Sequence, residues 1–188
     1  MRYIWVILIA AAPAAALVWG VSVGGGLGIP AIDYTDIVSP SPVVEGRGLF
    51  CITPNVTVTA GVAYRVEHEP KEFERWEEAS YRIIPALFGA VYRFEYLPLM
   101  PYAGGGVAAV IGTATVPTAE GTEDRKSTRL GGFVEGGTEY YFRENVGVDV
   151  RLRFLATFGG EAAEYGEQPV DADNYAAFDG VIGLFFYP

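Results

Sequence analysis

Cysteine and histidine are almost absent from this chain of 188 residues, which has one of each, Cys51 and His68. A single cysteine cannot form an intrachain disulfide, so stability has to come from backbone pairing and packing. One histidine cannot build a multi-histidine metal site, and it is the one imidazole that could serve as a general base. The sequence therefore predicts no metal site and no cofactor.

Positive charge is also scarce, since 13 Lys and Arg stand against 23 Asp and Glu and the formal net charge is -10. Nucleic-acid binding requires an excess of basic side chains against the phosphate backbone. We therefore expect no nucleic-acid partner.

Long apolar runs are missing once the N-terminus has been passed. Arg2 is followed by the apolar stretch 3–12 and then by Ala14, Ala15 and Ala16, which is typical of a secretory signal peptide. We predict cleavage after Ala16, so that residues 1–16 are the signal and residues 17–188 form one domain. An uncleaved anchor is the alternative, although the run is shorter than the ~20 residues that a spanning helix needs. A mature chain that enters a membrane then has to close as a barrel, because unpaired sheet edges leave backbone groups unsatisfied in lipid.

Clean period-two alternation marks two strands. In 56–66, Val, Ala and Tyr take one face, while Thr, Gly, Ala and Arg65 take the other. In 146–158 the aliphatic and Phe residues lie opposite Asp149, Arg151 and Arg153. Each strand therefore has one apolar face and one face that carries charge.

The same alternation predicts eight strands in all, and bacterial outer-membrane barrels have an even number. The predicted strands are 17–28, 43–52, 56–67, 79–95, 101–116, 127–142, 146–159 and 174–187. The connections alternate in length: those at 53–55, 96–100 and 143–145 are short, and those at 29–42, 68–78, 117–126 and 160–173 are long and polar. The fold class that we predict is an all-β, eight-stranded antiparallel up-and-down transmembrane β-barrel. Short turns on the periplasmic side and long loops outside would place both termini in the periplasm.

A soluble eight-stranded barrel such as a lipocalin is the alternative fold, and the charged face decides between the two. A soluble hydrophobic core could not hold so many charges, so we predict that they face the lumen of a membrane barrel. The predicted lumenal charge network consists of Arg65, Arg93, Glu135, Glu139, Asp149, Arg151, Arg153 and Asp179. Aromatic residues near the strand ends, at 92–94, 140–142 and 185–187, favour an interfacial girdle.

These charges would form a salt-bridge plug, or alternatively a gate or a narrow ion path. We favour the plug, because side chains usually fill a barrel of about eight strands. Glu139 is expected to pair with Arg151 or Arg153, which face the same side near the turn at 143–145.

Several segments resemble the OmpA/OmpX-type outer-membrane β-barrel family: Tyr81-Arg82-Ile83-Ile84-Pro85, Pro101 to Val107, and Gly136 to Phe142. The resemblance runs from Trp19 to Tyr187. It implies insertion by the barrel-assembly machinery, which reads an aromatic-ended last strand. Phe185, Phe186 and Tyr187 resemble that assembly signal, although Pro188 follows where an aromatic residue usually closes the chain. Barrels of this kind serve as anchors, adhesins, narrow channels or lipid-modifying enzymes.

Catalytic candidates are weak. His68 lies between Glu67 and Glu69, and the nearest serine is Ser80, without a His-x-Ser pattern. We interpret His68 as an exposed residue at a loop edge, and the acidic loops as a solvated outer surface. Divalent cations that bridge those carboxylates to lipopolysaccharide are an alternative role for the loops.

We therefore expect a non-enzymatic integral protein of the bacterial outer membrane with a structural role or an interaction role carried by its loops. The expected partners are outer-membrane lipid and lipopolysaccharide, the barrel-assembly machinery, and an extracellular partner of the acidic loops. A narrow channel for small solutes is the first alternative function, and a lipid-modifying barrel enzyme is the second.

Overall fold

A computed structural model describes residues 18–31, 40–68, 80–94, 98–118, 121–158, 164–165, 168–169 and 175–188. The predicted signal at 1–16 and most of the predicted loops lie outside these residues. Within them, no helix is long and apolar enough to cross a membrane.

Eight of the strands in the described ranges close into one antiparallel barrel. They are β1 (Val18–Ala31), β2 (Ser41–Cys51), β3 (Val56–His68), β4 (Ser80–Arg93), β5 (Leu99–Thr118), β6 (Gly121–Arg143), β7 (Val146–Phe158) and β10 (Ala176–Phe186). Two short strands, β8 (Glu164–Tyr165) and β9 (Gln168–Pro169), pair only with each other. The predicted eight-stranded antiparallel barrel is confirmed.

Each barrel strand pairs with its neighbours along the chain, and β1 pairs with β10 to close the ring. Following the paired positions once around the barrel from Gly20 leads back to β1 at Pro30, ten residues further along. This stagger tilts the strands against the barrel axis and sets the width of the interior. The interior of such a barrel has room for side chains rather than for a wide channel.

Alternation along β7 shows how the two faces differ. Asp149, Arg151 and Arg153 are buried, whereas Leu152 is 71% exposed and Phe158 is 69% exposed. Large apolar side chains on the outside and charges on the inside invert the pattern of a soluble protein. The outer face therefore suits lipid, as period-two reading of the sequence predicts.

The predicted boundary of one long loop is wrong. The predicted loop 117–126 is largely strand, because β5 and β6 stay paired up to Thr118 and Gly121. The polar residues of this hairpin suggested a loop, but a two-stranded ladder satisfies its backbone hydrogen bonds whatever the side chains are. His68, predicted at a loop edge, is the last residue of β3 and pairs with Tyr81.

Glycines that face inward leave room for lumenal rings. A Cβ on Gly147 would overlap the ring of Phe185, and a Cβ on Gly137 would crowd the hydroxyl of Tyr102. Each of these glycines thus lies next to a large lumenal side chain of the adjacent strand.

Candidate functional site

Glu45 on β2 lies at the centre of a network of buried charges. Its Oε2 lies 2.7 Å from Arg153 Nη2, and its Oε1 lies 3.2 Å from Arg151 Nη2 and 3.5 Å from Arg47 Nε. The Glu45 side chain is fully buried. Three guanidinium groups therefore surround one carboxylate inside the barrel.

Asp179 on β10 joins two of the arginines. Arg65 Nη2 donates to Asp179 Oδ1 at 2.7 Å, and Arg153 Nε and Nη2 donate to Asp179 Oδ2 at 3.1 and 2.9 Å. The Arg65 guanidinium also lies 5.2 Å from the centre of the Tyr175 ring, which is a cation–π distance. Strands β3, β7 and β10 are therefore linked through a single carboxylate.

Two further acids complete the middle of the network. Arg47 donates to both oxygens of Glu135, at 2.9 and 3.4 Å. Arg151 Nη1 donates to Asp149 Oδ2 at 2.5 Å, and the Tyr102 hydroxyl donates to Asp149 Oδ1 at 2.7 Å. Charge-assisted hydrogen bonds of this kind are the strongest that side chains form.

Arg93 forms a separate cluster near the turn end of the barrel. Its Nε donates to Glu139 Oε2 at 3.0 Å and its Nη2 donates to Glu139 Oε1 at 2.8 Å, which is a bidentate pair. Arg93 also donates to Thr57 Oγ1 and to the Tyr187 hydroxyl oxygen, and the Tyr141 hydroxyl donates to Glu139 Oε2 at 3.0 Å. Side chains from three strands, β3, β4 and β6, and from the segment after β10 meet at this point.

All eight residues of the network predicted from the sequence point into the lumen, and each is at most 5% exposed. They are Arg65, Arg93, Glu135, Glu139, Asp149, Arg151, Arg153 and Asp179. Sequence reasoning missed Glu45 and Arg47, although the predicted strand 43–52 contains both. Their signal was the alternation on β2, where Val43, Glu45, Arg47 and Leu49 share the inner face. With this pair included, the network contains five arginines and five acids.

The predicted partner of Glu139 is wrong. The position paired with Glu139 on β7 is Asp149, and Arg151 pairs with Gly137 instead. Arg151 and Arg153 are held by Glu45, Asp149 and Asp179, so Glu139 takes Arg93, which reaches past β5. Distance along the chain from the shared turn did not identify the partner, because inward side chains on nearby strands compete for the same space.

Apolar clusters lie on both sides of the ion pairs around Glu45 and Asp179, and the Arg93–Glu139 pair lies beside the second of these clusters. Toward the loop end, Ile83, Leu87, Phe133, Leu155 and Tyr175 belong to one buried cluster. A second cluster, toward the turn end, consists of Leu49, Phe185 and Tyr187, with Cys51 and Tyr141 packed against it. Between them, a void of about 10 Å³ borders Ser22, Arg47, Arg93, Tyr102 and Arg151. A void of this size has room for about one water molecule.

The three residues of the predicted assembly signal, at the end of β10 and directly after it, do not all face the same side of the barrel wall. Phe185 and Tyr187 are buried in the second cluster, whereas Phe186 is 42% exposed on the outer wall. One part of this segment therefore packs the lumen and the other faces outward.

The sequence matches the family model described as "Outer membrane protein beta-barrel domain" over residues 4–179. The chain belongs to this family. Its place is therefore the bacterial outer membrane. No curated protein sequence matches the chain.

Solved structures of outer-membrane barrels share the fold. Neisserial surface protein A is 14% identical, with 89% of this chain and 96% of that chain covered and a TM-score of 0.66. Ail, the attachment invasion locus protein of Yersinia pestis, is 14% identical, with 90% and 99% covered and a TM-score of 0.56. The outer membrane protease OmpT from Escherichia coli is 8% identical, with 91% and 97% covered and a TM-score of 0.51. At these identities the likeness concerns the fold alone, and one fold can carry different activities.

Proposed function

We propose that this outer-membrane barrel is a non-conducting and non-enzymatic scaffold that holds its acidic loops at the cell surface. One observation carries the proposal: the described lumen is filled by ion pairs between two apolar clusters, and the void among them measures about 10 Å³. A hydrated ion path needs continuous space, and the void among the ion pairs has room for about one water molecule.

The neutral balance of the network supports the same role. Within the network, five arginines lie at ion-pair distances from five acids, so these charges do not form a ring of a single sign; a sixth buried arginine, Arg129, lies on the inner face of β6 outside the network. Rings of side chains of a single charge sign are one of the devices by which pores select ions. The charges hold the strands together and close the lumen.

Orientation and partners belong to this proposal as well. Both termini would face the periplasm, because the connections at 52–55 and 144–145 are short turns on the same side as Val18 and Pro188. The acidic segments 67–78 and 161–173 would then face the medium and meet lipopolysaccharide, divalent cations or an extracellular partner. Phe185, Phe186 and Tyr187 would be read by the barrel-assembly machinery.

An enzymatic role has one observation behind it, which is the pairing of His68 with Tyr81 at the loop end of β3 and β4. This register brings the backbone of Ser80 near that of His68. The scaffold proposal predicts that the mass of lipid A is the same with and without expression of the protein. A mass change that disappears in both His68→Ala and Ser80→Ala would contradict it.

Swelling of proteoliposomes in solutions of small sugars and amino acids tests the proposal. We expect the swelling rate of protein-free liposomes, while a general porin reconstituted in parallel shows that the assay responds. Swelling that depends on solute size would support the narrow channel instead. Faster migration of the unboiled protein on a gel verifies that the barrel is closed.

A further inference from the structure

The outer wall of the barrel carries a groove of about 440 Å³ across β1, β10, β7 and β6. Gly180 forms its recess, because Leu152 and Leu27 occupy the paired positions on the two neighbouring strands and are strongly exposed. Gly136 continues the same row on β6, opposite Leu152. Two of the four positions in this row are glycines without side chains, so the outer surface of the barrel is recessed at this point.

An aromatic pair borders the groove on the side of the loops. Phe154 and Phe178 are paired across β7 and β10, with ring centroids 4.8 Å apart. Toward the turns, Val150 and Ile182 stand exposed in the row below the glycines. The groove thus extends from the row of Gly180 to the row of the aromatic pair, which is the row nearer the loops, and it is open toward the membrane.

We infer that this groove holds one acyl chain of lipid A. The groove is continuous with the exposed apolar belt that faces the membrane, so its occupant has to be apolar and has to lie in the hydrocarbon region. Lipid tails are as apolar as leucine, so preference for the groove comes from packing, and a chain in a recess contacts the wall on more than one side. The choice of lipid A rests on the orientation proposed above, which places the loop side in the outer leaflet.

Filling the groove tests this inference. An added Cβ would lie 3.6 Å from its nearest neighbour at Gly136 and 3.7 Å at Gly180, so leucine can be introduced at both positions without backbone overlap. The double variant Gly136→Leu, Gly180→Leu is compared with Gly46→Leu. Gly46 is an exposed glycine on β2, away from the groove, where a Cβ would meet nothing within 4 Å.

Native mass spectrometry of barrels released from nanodiscs that contain lipid A and phospholipid counts the lipids that each barrel retains. We expect wild type and Gly46→Leu to carry one lipid A. In the double variant, the fraction of barrels that retain lipid A should be lower by at least about threefold, because packing contacts disappear. If the double variant does not migrate as a closed barrel, Gly180→Leu alone replaces it.

Equal lipid A retention in all three proteins would overturn the inference. Preferential retention of phospholipid would overturn the choice of lipid A, and a dimer that only the filled variant loses would show that a second copy occupies the groove. Solute uptake by the barrel is a separate measurement, so each of these results leaves the scaffold proposal standing.

Discussion

Arg153 Nη2 lies 2.7 Å from Glu45 Oε2, although the two residues come from strands β7 and β2, which are not adjacent in the barrel. The contact therefore crosses the lumen. Because Arg47 and Arg151 approach the same carboxylate, the interior is organised around Glu45 rather than around pairs on neighbouring strands.

Replacing Glu45 by glutamine should destabilise the barrel by ~3 to 5 kcal/mol, because the charge that three guanidinium groups share is removed while they stay buried. Urea unfolding in detergent micelles, followed by tryptophan fluorescence, measures the loss. Val44→Ala, on the outward face next to Glu45, should change the unfolding free energy by less than ~1 kcal/mol. If Glu45→Gln unfolds at the same urea concentration as wild type, the network does not hold the strands.

Glu139→Leu should be partly rescued by Arg93→Leu, because the double variant removes both members of a buried pair instead of leaving one charge unpaired. The single variant is expected to lose ~3 to 5 kcal/mol and the double variant distinctly less. Arg151→Leu in the Glu139→Leu background is the matched control, and it should lower the stability further, because it removes the Arg151 ion pairs with Asp149 and Glu45 and leaves Arg93 unpaired. Rescue by Arg151→Leu rather than by Arg93→Leu would refute the observed pairing.

The fold was predictable because period-two alternation is a local property, and in a membrane barrel it separates lumen from lipid on every strand. Asp149, Arg151 and Arg153 could be assigned to the lumen from β7 alone. The partner of Glu139 could not be predicted from one strand, because the pairing depends on the stagger between strands and on the reach of Arg93 past β5. Glu45 and Arg47 were missed because glycines and a proline weaken the pattern on β2.

An arginine at Leu152 should destabilise the barrel by ~2 to 4 kcal/mol, because this strongly exposed residue is central on β7 and faces the membrane midplane. Arginine at Thr128, which is also exposed but closer to the loops, should cost at most ~1 kcal/mol. Unfolding of both variants from lipid vesicles gives the comparison. Equal costs at the two positions would mean that the outer face is not embedded at the assigned depth.

The variant Phe186→Ala tests whether this residue serves assembly in cells rather than the stability of the folded barrel. Phe186 faces outward, so we expect less folded barrel in cells but refolding in detergent with a stability within ~1 kcal/mol of wild type. Phe185→Ala removes a buried ring from the cluster with Leu49 and Tyr187, and it should lose ~3 to 5 kcal/mol of stability in detergent. Normal insertion of Phe186→Ala in cells would exclude this residue from the assembly signal.

Trypsin added to intact cells should cut after Lys71 or Arg75 in the acidic segment between β3 and β4. Arg143 is exposed at the turn between β6 and β7, and it should be cut only after the outer membrane has been permeabilised. Mass spectrometry of the fragments identifies the sites. Cleavage at Arg143 in intact cells, with Lys71 and Arg75 spared, would invert the proposed orientation.

The conductance of single barrels in a planar lipid bilayer tests the central claim most directly. The protein is inserted after its faster gel migration before boiling has shown that it is folded, and the current is recorded in concentrated salt at both polarities. A lumen closed by ion pairs and two apolar clusters predicts current at the background of the protein-free bilayer. Discrete, reproducible current steps from wild-type protein would contradict it.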